Sequence, residues 1–186
     1  MSNSSRDCNN WGDKREFFEM HWFINTGTRP LIPSVPGLKE AGFLTSESIM
    51  GLEQLPEHLI VLGSGYIGLE FAQMFRRFGS CVTVIRHSEQ ILSQQDPDIA
   101  FAVQTVLERD GIDFLLKAKV DPSDNATKHQ IQGADREMEL QCSHLRVAVG
   151  CAPTTNTLNL AAARVATGER GFIQVTDRLE TNVLEI

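Results

Sequence analysis

The 186 residues are 41% hydrophobic and 22% charged, a globular composition that argues against a disordered chain. Seventeen basic residues stand against 24 acidic ones, a net charge of −7, which disfavours nucleic acid or an anionic membrane as the main partner because both need basic surface. A small phosphate compound needs only a local site and stays open.

Residues 1–22 are polar and then patchily aromatic, with Trp11, Phe17, Phe18 and Trp22 on no persistent period, and read as an unassigned tail. Phe23 to Pro30 reads as a short β run ending at a glycine turn and a proline. Residues 30–44, with Pro30, Pro33, Pro36 and Gly37, read as an extended connection. Leu59-Ile60-Val61-Leu62 suits a buried parallel strand. It runs into Gly63-Ser64-Gly65-Tyr66-Ile67-Gly68 and then a helix with Ile67, Phe71, Phe75 and Phe78 near one face, closed by Gly79. Cys81 to Ile85 is the next strand. Asp96-Pro97 opens a second helix whose apolar positions are Ile99, Ala102, Val103, Val106 and Leu107, closed by Gly111. Ile112 to Leu116 is a third strand. Lys128 to Gln132 and Glu137 to Gln141 are expected hairpin strands, and Leu145 to Val149 a last buried strand ending at Gly150. The fold expected is α/β, a Rossmann-like parallel sheet with an antiparallel hairpin or meander attached.

No apolar run approaches the ~18 residues of a membrane helix, and the N-terminus lacks a signal-peptide stretch, so a cytoplasmic protein without membrane contact is expected. Cys8, Cys81, Cys142 and Cys151 show no C-x-x-C spacing, and the five histidines form no spaced pair, so no metal site and no catalytic set is read.

The glycine motif carries the chemistry. It follows a buried strand and opens a helix, and a second strand comes next. Gly63 permits the tight turn, Gly65 lets backbone approach a pyrophosphate, and Gly68 lets helix and strand come close. Free N–H groups and the dipole at the helix start favour phosphate charge. The bland alternative is a glycine turn that binds nothing. At the tip of the second strand, where an acid would hold the ribose hydroxyls of NAD, the chain has Arg86-His87, and no Asp or Glu lies between Glu70 and Glu89. That points to NADP before NAD, since a guanidinium fits a phosphate in a bidentate way. The alternative is a solvated strand end. Glu70 in the first helical turn is sufficiently explained by the helix dipole, and Tyr66 by packing.

Gly63 to Ala72, preceded by Leu-Pro-Glu-His-Leu-Ile-Val-Leu, resembles the nucleotide-binding domain of the class I pyridine nucleotide–disulfide oxidoreductases, the dihydrolipoamide dehydrogenase, glutathione reductase and mercuric reductase group. Thr26-Gly27-x-x-Pro30 and Val147-Ala-Val-Gly150-x-x-Pro153 resemble that family's crossings between its flavin and nucleotide domains. Residues 171–181 resemble the stretch before its last flavin-binding Gly-Asp. The resemblance implies a flavin-domain flank over 23–44, an NAD(P)-binding domain over 45–154 and an incomplete return to the flavin domain over 155–186. It implies that Tyr66 gates the nicotinamide pocket, Ile67 lines it, Glu70 approaches the carboxamide and Val120 lies near the adenosine. The reaction implied is hydride transfer from NAD(P)H to FAD and on to a disulfide or other acceptor, in a parent that is a homodimer through a domain absent here.

Several departures stand beside this. The family's arginine after Gly150 is Cys151, and the further basic residue of a full 2′-phosphate site is replaced by Leu92-Ser93. The flavin fingerprint, the redox-active C-x-x-x-x-C and the dimerisation domain are absent. The expectation is therefore a fragment of a longer flavoprotein, inactive by itself. The competing reading is a flavin-free dinucleotide-binding module with no catalysis of its own.

Overall fold

The computed structural model describes residues 21–122, 128–133 and 137–186. Most of the reading of residues 1–22 as a tail, and Cys8, lie outside them. The chain divides into two compact units, Gly27–Thr154 and a smaller one formed by Met1–Thr26 with Thr155–Ile186.

The larger unit is built on a four-stranded parallel sheet in the order β4-β3-β2-β8, with β2 at His58–Leu62, β3 at Cys81–Ile85, β4 at Ile112–Leu115 and β8 at His144–Val147. Helices α2 (Tyr66–Phe78) and α3 (Pro97–Arg109) make the crossovers from β2 to β3 and from β3 to β4. Between β4 and β8 the chain forms an antiparallel meander of β5 (Lys119–Pro122), β6 (Lys128–Gln132) and β7 (Glu137–Gln141). The arrangement is the Rossmann-like α/β fold with an attached meander. The two expected hairpin strands are β6 and β7. The sequence reading omitted β5, whose Val120 faces Ile131 across the ladder.

Strand alternation sorts the sheet into two cores. On β2, Leu59 and Val61 face the cluster that holds Leu69, Ala72 and Phe75 of α2, while Ile60 and Leu62 face the cluster with Ile131 of the meander. On β8, Leu145 and Val147 join the second cluster, so Arg146 between them is turned to the helix side. There it is 1% exposed, its guanidinium carbon 4.1 Å from the centre of the Phe71 ring. Its Nε and Nη1 are buried without a hydrogen-bond partner among the described residues. Burial lowers its pKa to about 10, so it carries its charge at neutral pH.

Several expectations are corrected. The run from Phe23 becomes a strand only at β1, Thr28–Pro30, because among the described residues it pairs with the three-residue β9, Cys151–Pro153. The connection of residues 30–44 contains a short helix, α1 (Leu38–Ala41), whose Leu38 is buried in the second core. The third strand stops at Leu115, before Lys117 turns with φ 53°, and the last stops at Val147 rather than Val149. The buried face of α2 is Gly68, Leu69, Ala72 and Phe75, with Ile67 and Phe78 exposed. On α3 the buried residues are Ala100 and Leu107, while Ile99 and Val106 are exposed. In both helices the apolar stripe is wider than the face that the sheet covers.

Among the described residues of the smaller unit, an antiparallel bridge pairs Thr167 with Ile173, and the side chain of Asn182 accepts from Ala166 N–H and donates to the Arg164 carbonyl. Among the described residues no helix is long and apolar enough to cross a membrane.

Candidate functional site

The carboxyl ends of β2, β3 and β8 converge on the glycine loop. Leu59 to Leu62 are buried on both faces, which fixes where β2 ends. Gly63 follows with φ +106°, a left-handed conformation that a side chain makes costly. A Cβ built there would lie 2.3 Å from the carbonyl oxygen of Ala148, just past the end of β8. A Cβ on Gly68 would lie 2.5 Å from the carbonyl oxygen of Gly63. Strand, turn and helix therefore touch through bare backbone at these two glycines.

Gly65 is different. A Cβ there would meet no atom within 4 Å, and its φ of −78° suits any residue. Protein packing does not require a glycine at this position, and open space lies before the loop. Gly65 is also the N-cap of α2, and no side chain caps it. The amides of the first turn consequently keep their donors for an outside acceptor. Beside them, Ser64 is buried and its Oγ has no hydrogen-bond partner among the described residues. Uncapped amides, an orphaned hydroxyl and open space together fit a pyrophosphate.

Tyr66, Ile67 and Glu70 of the first helical turns are all exposed. Tyr66 and Glu70 border an open apolar groove of about 470 Å³ between α2 and α3, with Leu69, Leu92, Val103 and Val106 among its walls. This groove is why the α3 stripe stays uncovered at Val106.

At the end of β3, Arg86 is half-buried and His87 exposed. The backbone N–H of Arg86 donates to the Leu115 carbonyl at 2.9 Å. Its guanidinium turns along the loop, with Nε donating to Ser88 Oγ at 2.8 Å and Nη2 to Ser93 Oγ at 3.1 Å. Glu89 is paired with Lys117 at 2.6 Å. That hydrogen bond, and then the ammonium charge, hold the Glu89 carboxyl below its ordinary range. Glu89 is thus occupied, while among the described residues three of the five guanidinium N–H groups of Arg86 have no partner.

The other expected residues scatter. Gly150 lies two residues beyond Ala148 with φ 149°, and its carbonyl accepts from Leu31 N–H at 2.9 Å. Val120 is a partly buried member of the second core. Gly27 accepts from Thr154 N–H at 3.1 Å, while Thr26 belongs to the smaller unit. Cys151 is exposed, whereas Cys142 is buried and desolvation pushes its thiol up to about 11. The sequence reading missed Ser88 as a partner of Arg86, because a lone serine in a polar loop carries no spacing signal. It also passed over Arg146, although an arginine alternating with Leu145 and Val147 in a buried strand was a visible anomaly.

The chain matches the family model described as pyridine nucleotide-disulphide oxidoreductase over residues 3–186. It is 37% identical over 165 residues to a mercuric reductase of Streptomyces lividans, covering 87% of this chain and 35% of that protein. It is 39% identical over 160 residues to the probable pyridine nucleotide-disulfide oxidoreductase RclA of Escherichia coli, covering 86% of this chain and 36% of that one. The solved structure of RclA, described as an HOCl-induced flavoprotein disulfide reductase, superposes with a TM-score of 0.74 at 36% identity, over 87% of this chain and 37% of that chain. The chain thus spans roughly a third of the length of these relatives. With the family model matched along nearly its whole length, the chain belongs to the pyridine nucleotide-disulphide oxidoreductase family.

Proposed function

We propose that this chain is the NAD(P)H-binding part of a flavin-dependent oxidoreductase that passes hydride from NAD(P)H to FAD and on to a disulfide or another acceptor. The observation that carries this reading is the contrast within the glycine loop: Gly63 and Gly68 are required by packing, whereas Gly65 faces open space at an uncapped helix start. In this reading the first-turn amides of α2 and the Ser64 hydroxyl hold the pyrophosphate, and Tyr66, Ile67 and Glu70 line the approach of the nicotinamide. The dinucleotide supplies the hydride; these residues bind and orient it.

We read the dinucleotide as NADP before NAD. Arg86 stands where an acid would accept from the ribose hydroxyls, and the nearby Glu89 is tied to Lys117. The expected result is tighter calorimetric binding of 2′-phospho-ADP-ribose than of ADP-ribose, by roughly tenfold or more for one charge-assisted phosphate contact. Arg86→Glu is expected to abolish that preference and leave ADP-ribose binding. Equal affinities for the two ligands in the unmodified chain would refute the NADP assignment and leave the glycine-loop reading standing.

A further inference from the structure

The groove between α2 and α3 is a preformed feature of the larger unit. At the carboxyl ends of the two helices a clasp ties them together. Gln73 Nε2 donates to Asp110 Oδ2 at 2.8 Å, Arg76 Nε donates to the Asp110 carbonyl at 3.1 Å, and Arg77 lies 3.5 Å from the same carboxylate. The base of the groove includes Leu92, which turns with φ 45°, a left-handed conformation that a leucine rarely adopts. Leu92 is fixed there by its N–H, which donates to the Ser64 carbonyl at 3.0 Å, and by its carbonyl, which accepts from Gln95 N–H at 2.8 Å. Leu69, Leu92 and Leu107 all belong to the buried core, so they are packed from below and do not rise to close the groove.

A groove of about 470 Å³ is within the size of small-molecule sites, which are mostly apolar with a few polar groups that fix orientation. Here the polar groups are Tyr66, Glu70 and Gln73, and the Gln73 amide already serves the clasp. Glu70 is the one charge among the described lining residues. Among the described residues its carboxylate and the Tyr66 hydroxyl have no hydrogen-bond or ion-pair partner. The charge selects the ligand. An anionic head would be repelled, a neutral one would gain nothing from the carboxylate, and an ammonium can meet both the carboxylate and the face of a phenol ring. We propose that the α2–α3 groove binds a small primary amine carried on an apolar body, with its ammonium at Glu70 and its body along Leu69, Val103 and Val106. Such a ligand also covers the α3 stripe that the sheet leaves bare. The site adjoins the approach proposed for the nicotinamide at Tyr66 and Glu70, but it needs no dinucleotide to form.

Octylamine, octanol and octanoate share one apolar body and differ in the charge of the head, so NMR titration of the isotope-labelled 186-residue chain with each tests this. Amide shifts are expected at Leu69, Val103 and Val106. Octylamine is expected to bind roughly threefold tighter than octanol, the difference made by one exposed ion pair, and octanoate weakest. Glu70→Gln is expected to make octylamine and octanol equal while octanol binding persists. Val106→Arg is expected to remove the octylamine shifts, because it fills the groove and adds a like charge. Val106 is 53% exposed, so a melting curve close to that of the unmodified chain is expected for this variant; should it fail to fold, the Glu70→Gln comparison decides. ADP-ribose, which lacks the nicotinamide ring, is expected to leave the octylamine shifts in place. The site is overturned if octylamine shows no saturable binding, if its shifts lie away from α2 and α3, if octanol binds the unmodified chain as tightly, or if Glu70→Gln keeps the preference. Displacement of octylamine by ADP-ribose would also overturn it, by making the groove part of the dinucleotide site. A chain that binds no ADP-ribose yet prefers octylamine would remove the dinucleotide reading and leave the amine site standing.

Discussion

Gly63→Ala is expected to destabilise the larger unit by about 3–5 kcal/mol, lowering the melting temperature by about 10 °C. Two costs add. The new Cβ would sit 2.3 Å from the Ala148 carbonyl oxygen and 2.7 Å from its carbon, and both are backbone atoms that cannot swing aside. The residue would also have to hold φ near +106°, which L side chains rarely adopt. Moving Ala148 to relieve the clash pulls on the end of β8, where the Val147 amide and the following Ala148 amide donate to the Leu44 and Leu62 carbonyls. A domain of this size has only about 5–15 kcal/mol in reserve, so the loss is a large share of it. Gly51→Ala is the control, because a Cβ there meets nothing within 4 Å; thermal melts of the two variants give the comparison. A Gly63→Ala protein that melts with the unmodified chain would contradict the close approach of β8 to the loop.

Arg146→Met is expected to act in the opposite direction, raising stability by about 1–4 kcal/mol and the melting temperature by about 2–10 °C. The guanidinium is buried on the apolar face of β8 with two nitrogens unpartnered, and it stays charged at neutral pH. Its contact with the Phe71 ring recovers about 0.5–2 kcal/mol, less than the cost of stripping water from the charge. Methionine is similarly long and unbranched, so it can fill the same channel without a polar atom to satisfy. Chemical denaturation at pH 7 measures the difference. A clear loss of stability would mean that Arg146 has an anionic partner in the folded protein.

These two positions also show what could be read in advance. Leu59 to Phe78 was legible because its signals are local. A run of four aliphatic residues, three glycines at fixed spacing and a terminal Gly79 each dictate their own neighbourhood. The meander strands β6 and β7 alternate strongly enough to be placed at their observed bounds. What was not legible depends on distant partners. The pairing of Thr28–Pro30 with Cys151–Pro153 joins segments more than 120 residues apart, and neither strand is long enough to announce itself. The covered faces of α2 and α3 are set by which strands lie beneath them, so apolar spacing located the helices and misjudged the buried residues. At the site, the spacing of Gly63, Gly65 and Gly68 already assigned each a separate duty, while the atoms that Gly63 and Gly68 approach, the Ala148 and Gly63 carbonyls, lie beyond what spacing records. The turn of Arg86 toward Ser88 and Ser93 is a side-chain choice that no spacing records.

If the open space before Gly65 receives a dinucleotide, Gly65→Val should block binding and spare the fold. The substitution adds a branched side chain where no protein atom lies within 4 Å of the new Cβ, at an ordinary φ of −78°. Calorimetric titration with NADPH, with circular dichroism melts on the same samples, separates folding from binding. Valine caps a helix less well than glycine, so a loss of about 1 kcal/mol and a melting temperature lower by only a few degrees are expected. NADPH affinity is expected to fall by roughly a hundredfold, because the side chain keeps the pyrophosphate from the helix amides. A folded Gly65→Val protein that binds NADPH as tightly as the unmodified chain would contradict the dinucleotide reading.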